Sequence, residues 1–244
     1  MTSAERLIVA LDVPDLSRAE KLIAQLSPWV KRFKIGSELF TAAGPAAVAM
    51  AARRRSRVFL DLKFHDIPTT AAKAAAAAAR LGVFMVNFHA QGGGTMLREA
   101  VESVDATCRK YHLPRPLLVG VTVLTSLGQK DWQRLGMKRT LKRQVLFLAE
   151  LCKSSGLDGV VASAQEAAAI RKHLGKEFVI VCPGIRPAQS ATGDQSRVAG
   201  PRAALRAGAD YLVVGRPITE AKEPARACRE ILAEMEGALK GRQA

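Results

Sequence analysis

Residues 58–70 read Val-Phe-Leu-Asp-Leu-Lys-Phe-His-Asp-Ile-Pro-Thr-Thr, and the rest of the chain is organised around them. Side chains alternate between the two faces of a strand, so Asp61 and Lys63 leave the same face, about 6 to 7 Å apart. The apolar residues around them indicate a buried strand, where charged groups are costly to desolvate without a counter-charge or a ligand. We therefore expect a functional charge cluster here rather than an exposed ion pair.

The strand has to end before Pro68, which biases Ile67 away from helical conformation and suits the first position of a helix. Asp66 then lies in the turn beyond the strand. The alanine-rich segment Pro68–Arg80 predicts a helix that packs closely on its neighbours. The resulting D-x-K-x-x-D cluster is placed at the carboxyl end of a strand, where parallel α/β proteins have their active sites.

Composition limits the class of protein. With 244 residues, 48% of them hydrophobic, the chain can form one α/β barrel or two smaller domains. It has no apolar run of membrane-spanning length, and charged Glu5 and Arg6 precede any segment long enough for a signal peptide, so we expect a cytoplasmic protein.

The cysteines lack C-x-x-C spacing and are predicted to be small core residues without a disulfide or zinc: Cys108, Cys152, Cys182 and Cys228.

The formal net charge of +15 favours anionic partners, either phosphorylated small molecules or nucleic acid. Two Trp and two Tyr provide little aromatic surface for base stacking, so we do not expect nucleic-acid binding as the main function. A basic nucleic-acid-binding protein remains the alternative from another functional class.

Strands and helices are predicted to alternate along the whole chain. Three joints, at Gly82, Gly156 and Gly208, pass from a helix through glycine into an apolar strand. Further strands are predicted at 7–13, Arg32–Gly36, 117–124 and 178–182. About eight β/α units of roughly 30 residues predict a closed (β/α)8 TIM barrel, formed as one domain by residues 1–244. A doubly wound open sheet is the alternative, but no strand-linked G-x-G-x-x-G motif supports it.

Polar residues recur where the predicted strands end. Asp12 follows the first strand, Lys34 lies in the second, and Thr125 and Ser126 follow the fifth. Loops after the seventh and eighth strands of such barrels often bind phosphate through glycine amides and a helix N-terminus. Those loops carry Pro183, Gly184, Ile185 and Arg186, and then Gly215, Arg216 and Pro217. Arg216 adds a bidentate donor suited to phosphate.

The motif Asp61-Leu-Lys-Phe-His-Asp-Ile-Pro-Thr-Thr70 resembles that of the orotidine 5′-phosphate decarboxylase family, particularly its bacterial form. The resemblance extends in family order over nearly the whole chain. Its other landmarks begin at Leu7, Phe33, Leu124, Pro183, Gly193 and Gly215. Metal-dependent relatives that act on sugar phosphates share only the sparser D-x-K-x-x-D pattern, and a decarboxylase or aldolase of that kind is the nearest alternative.

The resemblance implies a homodimer that decarboxylates orotidine 5′-phosphate to uridine 5′-phosphate, the last step of pyrimidine nucleotide synthesis, without metal or organic cofactor. It implies that Lys63 gives a proton to the carbon that loses carbon dioxide, and that Asp61 faces the departing carboxylate. Lys34 and Asp66 complete an alternating charge network, with Asp66 supplied by the partner subunit.

The same resemblance implies the substrate contacts. Asp12 and Lys34 would hold the ribose, together with Asp66 and Thr70 across the interface, while Thr125 and Ser126 meet the base. Arg186, Gln195, Gly215 and Arg216 would bind the phosphate side. Separately, the length and polar composition of residues 184–200 predict a lid over the site. The whole motif counts among the expected substrate-binding residues: Asp61, Leu62, Lys63, Phe64, His65, Asp66, Ile67, Pro68, Thr69 and Thr70.

Overall fold

Eight parallel strands close into a barrel, each paired with the next along the chain and the last paired with the first. The computed structural model describes residues 1–187 and 199–240. The closed ring of eight parallel strands confirms the predicted (β/α)8 barrel. Its strands are β1 (Leu7–Ala10), β2 (Arg32–Gly36), β3 (Arg57–Phe64), β4 (Met85–His89), β5 (Leu117–Val121), β6 (Gly159–Val161), β7 (Val179–Cys182) and β8 (Tyr211–Val214).

Helices separate the strands and cover the outside of the barrel. A short 3-10 turn, Ala90–Gly92, follows β4. The described helices are α1 (Ser3–Arg6), α2 (Leu16–Leu26), α3 (Ser37–Ala43), α4 (Pro45–Arg53), α5 (Pro68–Arg80), α6 (Gly93–Tyr111), α7 (Gln129–Arg134), α8 (Leu141–Ser154), α9 (Ala164–Leu174), α10 (Pro201–Arg206), α11 (Arg216–Thr219) and α12 (Pro224–Lys240).

Two apolar layers stabilise the barrel. Phe59 on β3 packs inside it with side chains of the other strands, such as Ile8 and Met85. Val58 and Leu60 point the other way and pack against the helices. Because both faces of the sheet are covered, the strands are nearly continuous apolar runs, and a charged residue such as Asp61 stands out among them.

Several predicted boundaries agree with the structure, and others differ for identifiable reasons. β2 and α5 have the predicted ends, and Pro68 occupies the first turn of α5. The alanine-rich segment before β3 forms two helices rather than one, because Gly44 has φ 56° and Pro45 starts a new helix after it. β5 ends at Val121 rather than 124, because Val123 and Leu124 leave the sheet to line a pocket.

The four cysteines are buried, as predicted for small core residues. All four lie in the described part of the chain, in α6, α8, β7 and α12, and are buried thiols without a disulfide. Burial raises the pKa of the Cys152 thiol to about 12, so this group behaves as a small apolar residue.

None of the helices in residues 1–187 and 199–240 has the length and apolar character needed to cross a membrane.

Candidate active site

A pocket of about 520 Å³ opens at the carboxyl ends of the strands. The first three strands and the turns after them contribute Asp12, Lys34, Asp61 and Lys63. Loops after β5, β7 and β8 contribute Thr125, Ser126, Arg186, Gly215 and Arg216. Residues predicted from separate places in the sequence therefore meet at one end of the barrel, as expected when parallel strands all end at the same rim.

A chain of alternating charges runs across the floor of this pocket. The Lys34 ammonium lies 2.8 Å from Asp12 Oδ1 and 3.1 Å from Asp61 Oδ2. The Lys63 ammonium lies 2.8 Å from Asp61 Oδ1. Gly36 makes room for the first pair, since a Cβ at that position would lie 2.9 Å from both Asp12 Oδ1 and Lys34 Nζ.

The network keeps its buried members charged. Burial alone would raise the pKa of Asp61, but the charges of Lys34 and Lys63 and hydrogen bonds from Lys63 and Asn87 outweigh it and lower that pKa. Burial alone would lower the pKa of Lys34, but Asp61 and Asp12 outweigh it and raise that pKa. The pocket therefore presents fixed charges of both signs to a ligand.

The backbone at Lys63 is irregular. Alternation predicted that Asp61 and Lys63 share a face, and both do line the pocket. However, Lys63 has φ 52°, which is uncommon for a residue other than glycine, and the register of β3 against β4 shifts between Leu60 and Phe64. A local bulge, and not alternation alone, directs the Lys63 side chain.

Sequence reasoning missed Asn87 on β4. Its amide nitrogen donates to Asp61 Oδ1 at 2.6 Å, and its amide oxygen accepts from the Lys63 backbone N–H at 2.8 Å. The available signal was one amide side chain between the apolar residues Val86 and Phe88 of β4, the strand that follows the D-x-K motif. Glu38 and Glu220, which also line the pocket, were missed as well, and no local pattern marks them.

The later part of the motif leaves the pocket. β3 ends at Phe64, and the chain turns outward to start α5. Leu62 and Phe64 pack against the apolar layer outside the barrel. The side chains that follow do not line the pocket of their own chain; Pro68 is half-buried, and the exposed ones are His65, Asp66, Ile67, Thr69 and Thr70. Their contacts with substrate remain predictions.

The opposite side of the pocket is rich in arginine. The pKa of the Arg186 guanidinium is lowered by burial and by the charge of Arg216, while Glu220 opposes the change. The two arginines are thus close enough to repel each other, and an anion between them would relieve that repulsion. Gln195 and the central part of the predicted lid, residues 188–198, lie outside the described residues.

One wall of the pocket is apolar. It is formed by Phe59, Val121, Val123, Val161 and Val213. An apolar wall beside fixed charges excludes water and strengthens electrostatic interactions in the pocket. In the described part of the chain, no group of three or more His, Cys, Asp or Glu side chains could hold a metal ion.

The stability of the protein is expected to depend on Asp61 in a pH-dependent way. A lowered folded-state pKa means that ionised Asp61 stabilises the native state above its ordinary value of 3.8, and that this stabilisation is lost as the pH falls through the folded-state value. Urea unfolding from about pH 7 to about pH 3 should show the gap in unfolding free energy between wild type and Asp61→Asn shrinking in acid.

The matched control is Glu230→Gln, because Glu230 is an exposed carboxylate paired with Arg226 on α12. Its effect on the unfolding free energy should be small at every pH. If the difference in unfolding free energy between wild type and Asp61→Asn stayed constant or widened in acid, it would contradict the conclusion that Asp61 is ionised and stabilising in the folded protein.

The comparisons with known proteins agree with one another. A family model described as orotidine 5′-phosphate decarboxylase / HUMPS family matches residues 5–231. Orotidine 5′-phosphate decarboxylase of Moorella thermoacetica is 54% identical over 97% of this chain and 94% of its own length. The protein of that name from Nitrosococcus oceani is 51% identical over 94% of this chain and 97% of its own length.

A solved structure extends the likeness to the fold. The crystal structure of orotidine 5′-phosphate decarboxylase from Lactobacillus acidophilus superposes with a TM-score of 0.83 at 35% identity, covering 95% of this chain and 99% of that one. The match thus includes the barrel and both sides of its pocket. The chain belongs to the orotidine 5′-phosphate decarboxylase / HUMPS family.

Proposed function

We propose that the protein is an orotidine 5′-phosphate decarboxylase, which forms uridine 5′-phosphate and carbon dioxide in the final step of pyrimidine nucleotide synthesis. The observation that carries this proposal is the chain of alternating charges Asp12, Lys34, Asp61 and Lys63 beside an apolar wall. Such a site can stabilise negative charge that develops on a carbon atom and can then supply a proton to it.

The reaction breaks the bond between the pyrimidine carbon and its carboxylate. The electron pair of that bond stays on the ring carbon, carbon dioxide leaves, and the Lys63 ammonium donates a proton to the same carbon. Lysine then regains a proton from water, so each turnover consumes one proton. The Lys63 side chain is 34% exposed, in the pocket, and can therefore reach a bound substrate.

Asp61 contributes to the same step. Its lowered pKa keeps the carboxylate ionised, so a substrate carboxylate placed beside it meets like charge. This repulsion falls as neutral carbon dioxide forms, which favours the transition state over the bound substrate. Lys34, held between Asp12 and Asp61, keeps the network alternating in sign.

The remaining lining residues bind the parts of the nucleotide that do not react. Asp12 and Lys34 hold the ribose hydroxyls, and Thr125 and Ser126 contact the base. Arg186, Gly215 and Arg216 bind the phosphate, with Gln195 assigned to that group from the sequence alone. Binding energy from the phosphate, remote from the reacting carbon, aligns the base against Lys63.

We propose further that the active enzyme is a homodimer in which Asp66 and Thr70 of each chain enter the site of the other. The support is their exposure at the rim of the barrel, next to Ile67, whose side chain is 65% exposed. Association through this turn would remove the large apolar Ile67 side chain from water, which is favourable. A closed symmetric dimer would bury them on both chains.

The proposal requires no metal and no organic cofactor, and no nucleic-acid or membrane partner. We place the enzyme in the cytoplasm, because its substrate and product are nucleotides whose phosphate charge keeps them from crossing a membrane. Cell fractionation followed by activity measurement tests this location.

The substrate is tested by comparing orotidine 5′-phosphate with pentulose and hexulose phosphates, each with and without magnesium. We expect turnover of orotidine 5′-phosphate alone, followed as a loss of ultraviolet absorbance. Turnover of only a sugar phosphate would reject the proposal in favour of a metal-dependent relative. Salt-sensitive nucleic-acid binding without any turnover would reject it in favour of a basic binding protein.

Arg216 provides a test of the phosphate contact. We expect Arg216→Ala to lower kcat/KM for orotidine 5′-phosphate about 10- to 100-fold, mostly through KM, because a charged hydrogen bond to phosphate is lost. Orotidine without its phosphate should be affected little. Arg226→Ala, an exposed arginine on α12, is the control and should leave both rates unchanged. Equal losses on the two substrates would assign Arg216 to the fold or to the chemistry.

A further inference from the structure

Asn87 joins the two residues on which the proposed chemistry depends. Its side chain is fully buried on β4. It donates to Asp61 Oδ1 at 2.6 Å and accepts from the Lys63 backbone N–H at 2.8 Å. One amide thus contacts the carboxylate of the first residue and the backbone of the second.

The two hydrogen bonds of Asn87 hold different parts of the site: one holds the side chain of Asp61, and the other holds the backbone of Lys63. Lys34 and Lys63 approach the Asp61 carboxylate through flexible side chains, whereas Asn87 approaches it from a rigid strand and so fixes its orientation. The contact with the Lys63 N–H lies where β3 loses its regular register with β4 and Lys63 has φ 52°. That conformation is sterically unfavourable for lysine, and a bond to its N–H stabilises it.

We propose that Asn87 is a positioning residue for decarboxylation, tying the orientation of the Asp61 carboxylate to the backbone conformation that directs the Lys63 ammonium. The inference rests on the proposed function. Asn87 does not line the pocket, and it acts on the reacting groups only through Asp61 and Lys63. A residue with this role affects the chemical step more than substrate binding.

Asn87→Ala is expected to lower kcat about 100-fold, since it removes both contacts and lets Asp61 and Lys63 shift relative to the substrate. KM for orotidine 5′-phosphate and the Kd of uridine 5′-phosphate should change by no more than about threefold, because the phosphate and ribose contacts remain. The control is Thr122→Val. Thr122 is likewise buried and does not line the pocket, and its hydroxyl donates to the backbone carbonyl of Val161 rather than to Asp61 or Lys63.

Asn87→Asp gives a readout that a purely structural role would not produce. The variant keeps the side-chain shape and an acceptor for the Lys63 N–H, but it places a carboxyl beside Asp61. Like charge raises the pKa of the introduced carboxyl. Once protonated, that carboxyl donates to Asp61 as the amide does, so kcat of the variant should rise as the pH falls, relative to wild type.

The surroundings of position 87 support this pH dependence. The β5 residue paired with it is apolar Val119. The charged and titratable groups nearby are Asp61 and Lys63 on β3, Lys34 bonded to Asp61, His89 on β4 and His65 beside it. The pKa of His89 is lowered by burial and by the charges of His65 and Lys63. These groups are present in both proteins. The ratio of the kcat of Asn87→Asp to that of wild type, measured at each pH, therefore reports the titration of the introduced carboxyl alone.

The experiment measures kcat, KM, the Kd of uridine 5′-phosphate and the thermal midpoint for wild type and the three variants. A selective loss of kcat in Asn87→Ala, with recovery of Asn87→Asp in acid, supports the inference. If kcat falls no further in Asn87→Ala than in Thr122→Val, or if the ratio of the Asn87→Asp and wild-type pH profiles is flat, the inference is overturned. Turnover by wild type would in that case still support the proposed function. Absence of turnover in wild type overturns both. If Asn87→Ala does not fold, the pH profile of Asn87→Asp decides.

Discussion

Replacing Lys63 with alanine is expected to lower kcat for orotidine 5′-phosphate by at least about 10⁴-fold, because the variant loses both the proton donor and the cation next to the developing negative charge. The fold should survive. The Lys63 side chain is one-third exposed, and Asp61 keeps its contact with Lys34. Steady-state kinetics, together with the thermal midpoint and the Kd of uridine 5′-phosphate, measure the effect.

Lys142→Ala is the matched control, since Lys142 is an exposed lysine on α8 that does not line the pocket. It should leave kcat unchanged. If Lys63→Ala retained more than about one-hundredth of the wild-type rate, another group would have to supply the proton.

Two inactive variants are expected to regain activity when mixed. Asp66→Ala should be inactive in the homodimer, because neither site then receives this carboxylate. In a heterodimer with Lys63→Ala, one of the two sites combines an intact Lys63 with an intact Asp66 from the other chain. After complete subunit exchange of equal amounts, about a quarter of the wild-type activity should return.

The control for this experiment is a mixture of Lys63→Ala with Asp61→Ala. Both residues lie in the same pocket of the same chain, so no heterodimer site is intact and no activity should return. Heterodimers of Lys63→Ala and Asp66→Ala that are shown to form, by two different affinity tags, and yet stay inactive would rule out a shared site.

Local signals in the sequence predicted much of the barrel. Pro68 gives the start of α5, and Gly156 and Gly208 end helices with positive φ before strands. Each of these signals depends only on residues that are neighbours in the sequence, so it can be recognised without the structure. The grouping of polar residues at the pocket followed, because a barrel of parallel strands has only one carboxyl end.

Features that depend on contacts between distant segments could not be predicted in the same way. The left-handed backbone of Lys63 and the role of Asn87 result from the register between β3 and β4. Glu38 in α3 and Glu220 at the end of α11 reach the pocket because these helices follow β2 and β8 at the carboxyl end of the barrel. The resemblance to a family assigned the motif residues beyond Phe64 to substrate, but within one chain the turn before α5 carries them outward.

The central claim is that this chain decarboxylates orotidine 5′-phosphate with its own charged residues and without a metal ion. The direct measurement is the rate of absorbance loss from orotidine 5′-phosphate in excess EDTA, with uridine 5′-phosphate quantified in the same samples and Lys63→Ala run in parallel. The account predicts wild-type turnover of about 1 s⁻¹ or faster, one product formed per substrate lost, and a flat trace for the variant. No turnover by wild type in EDTA, or turnover that begins only when magnesium is restored, would contradict it.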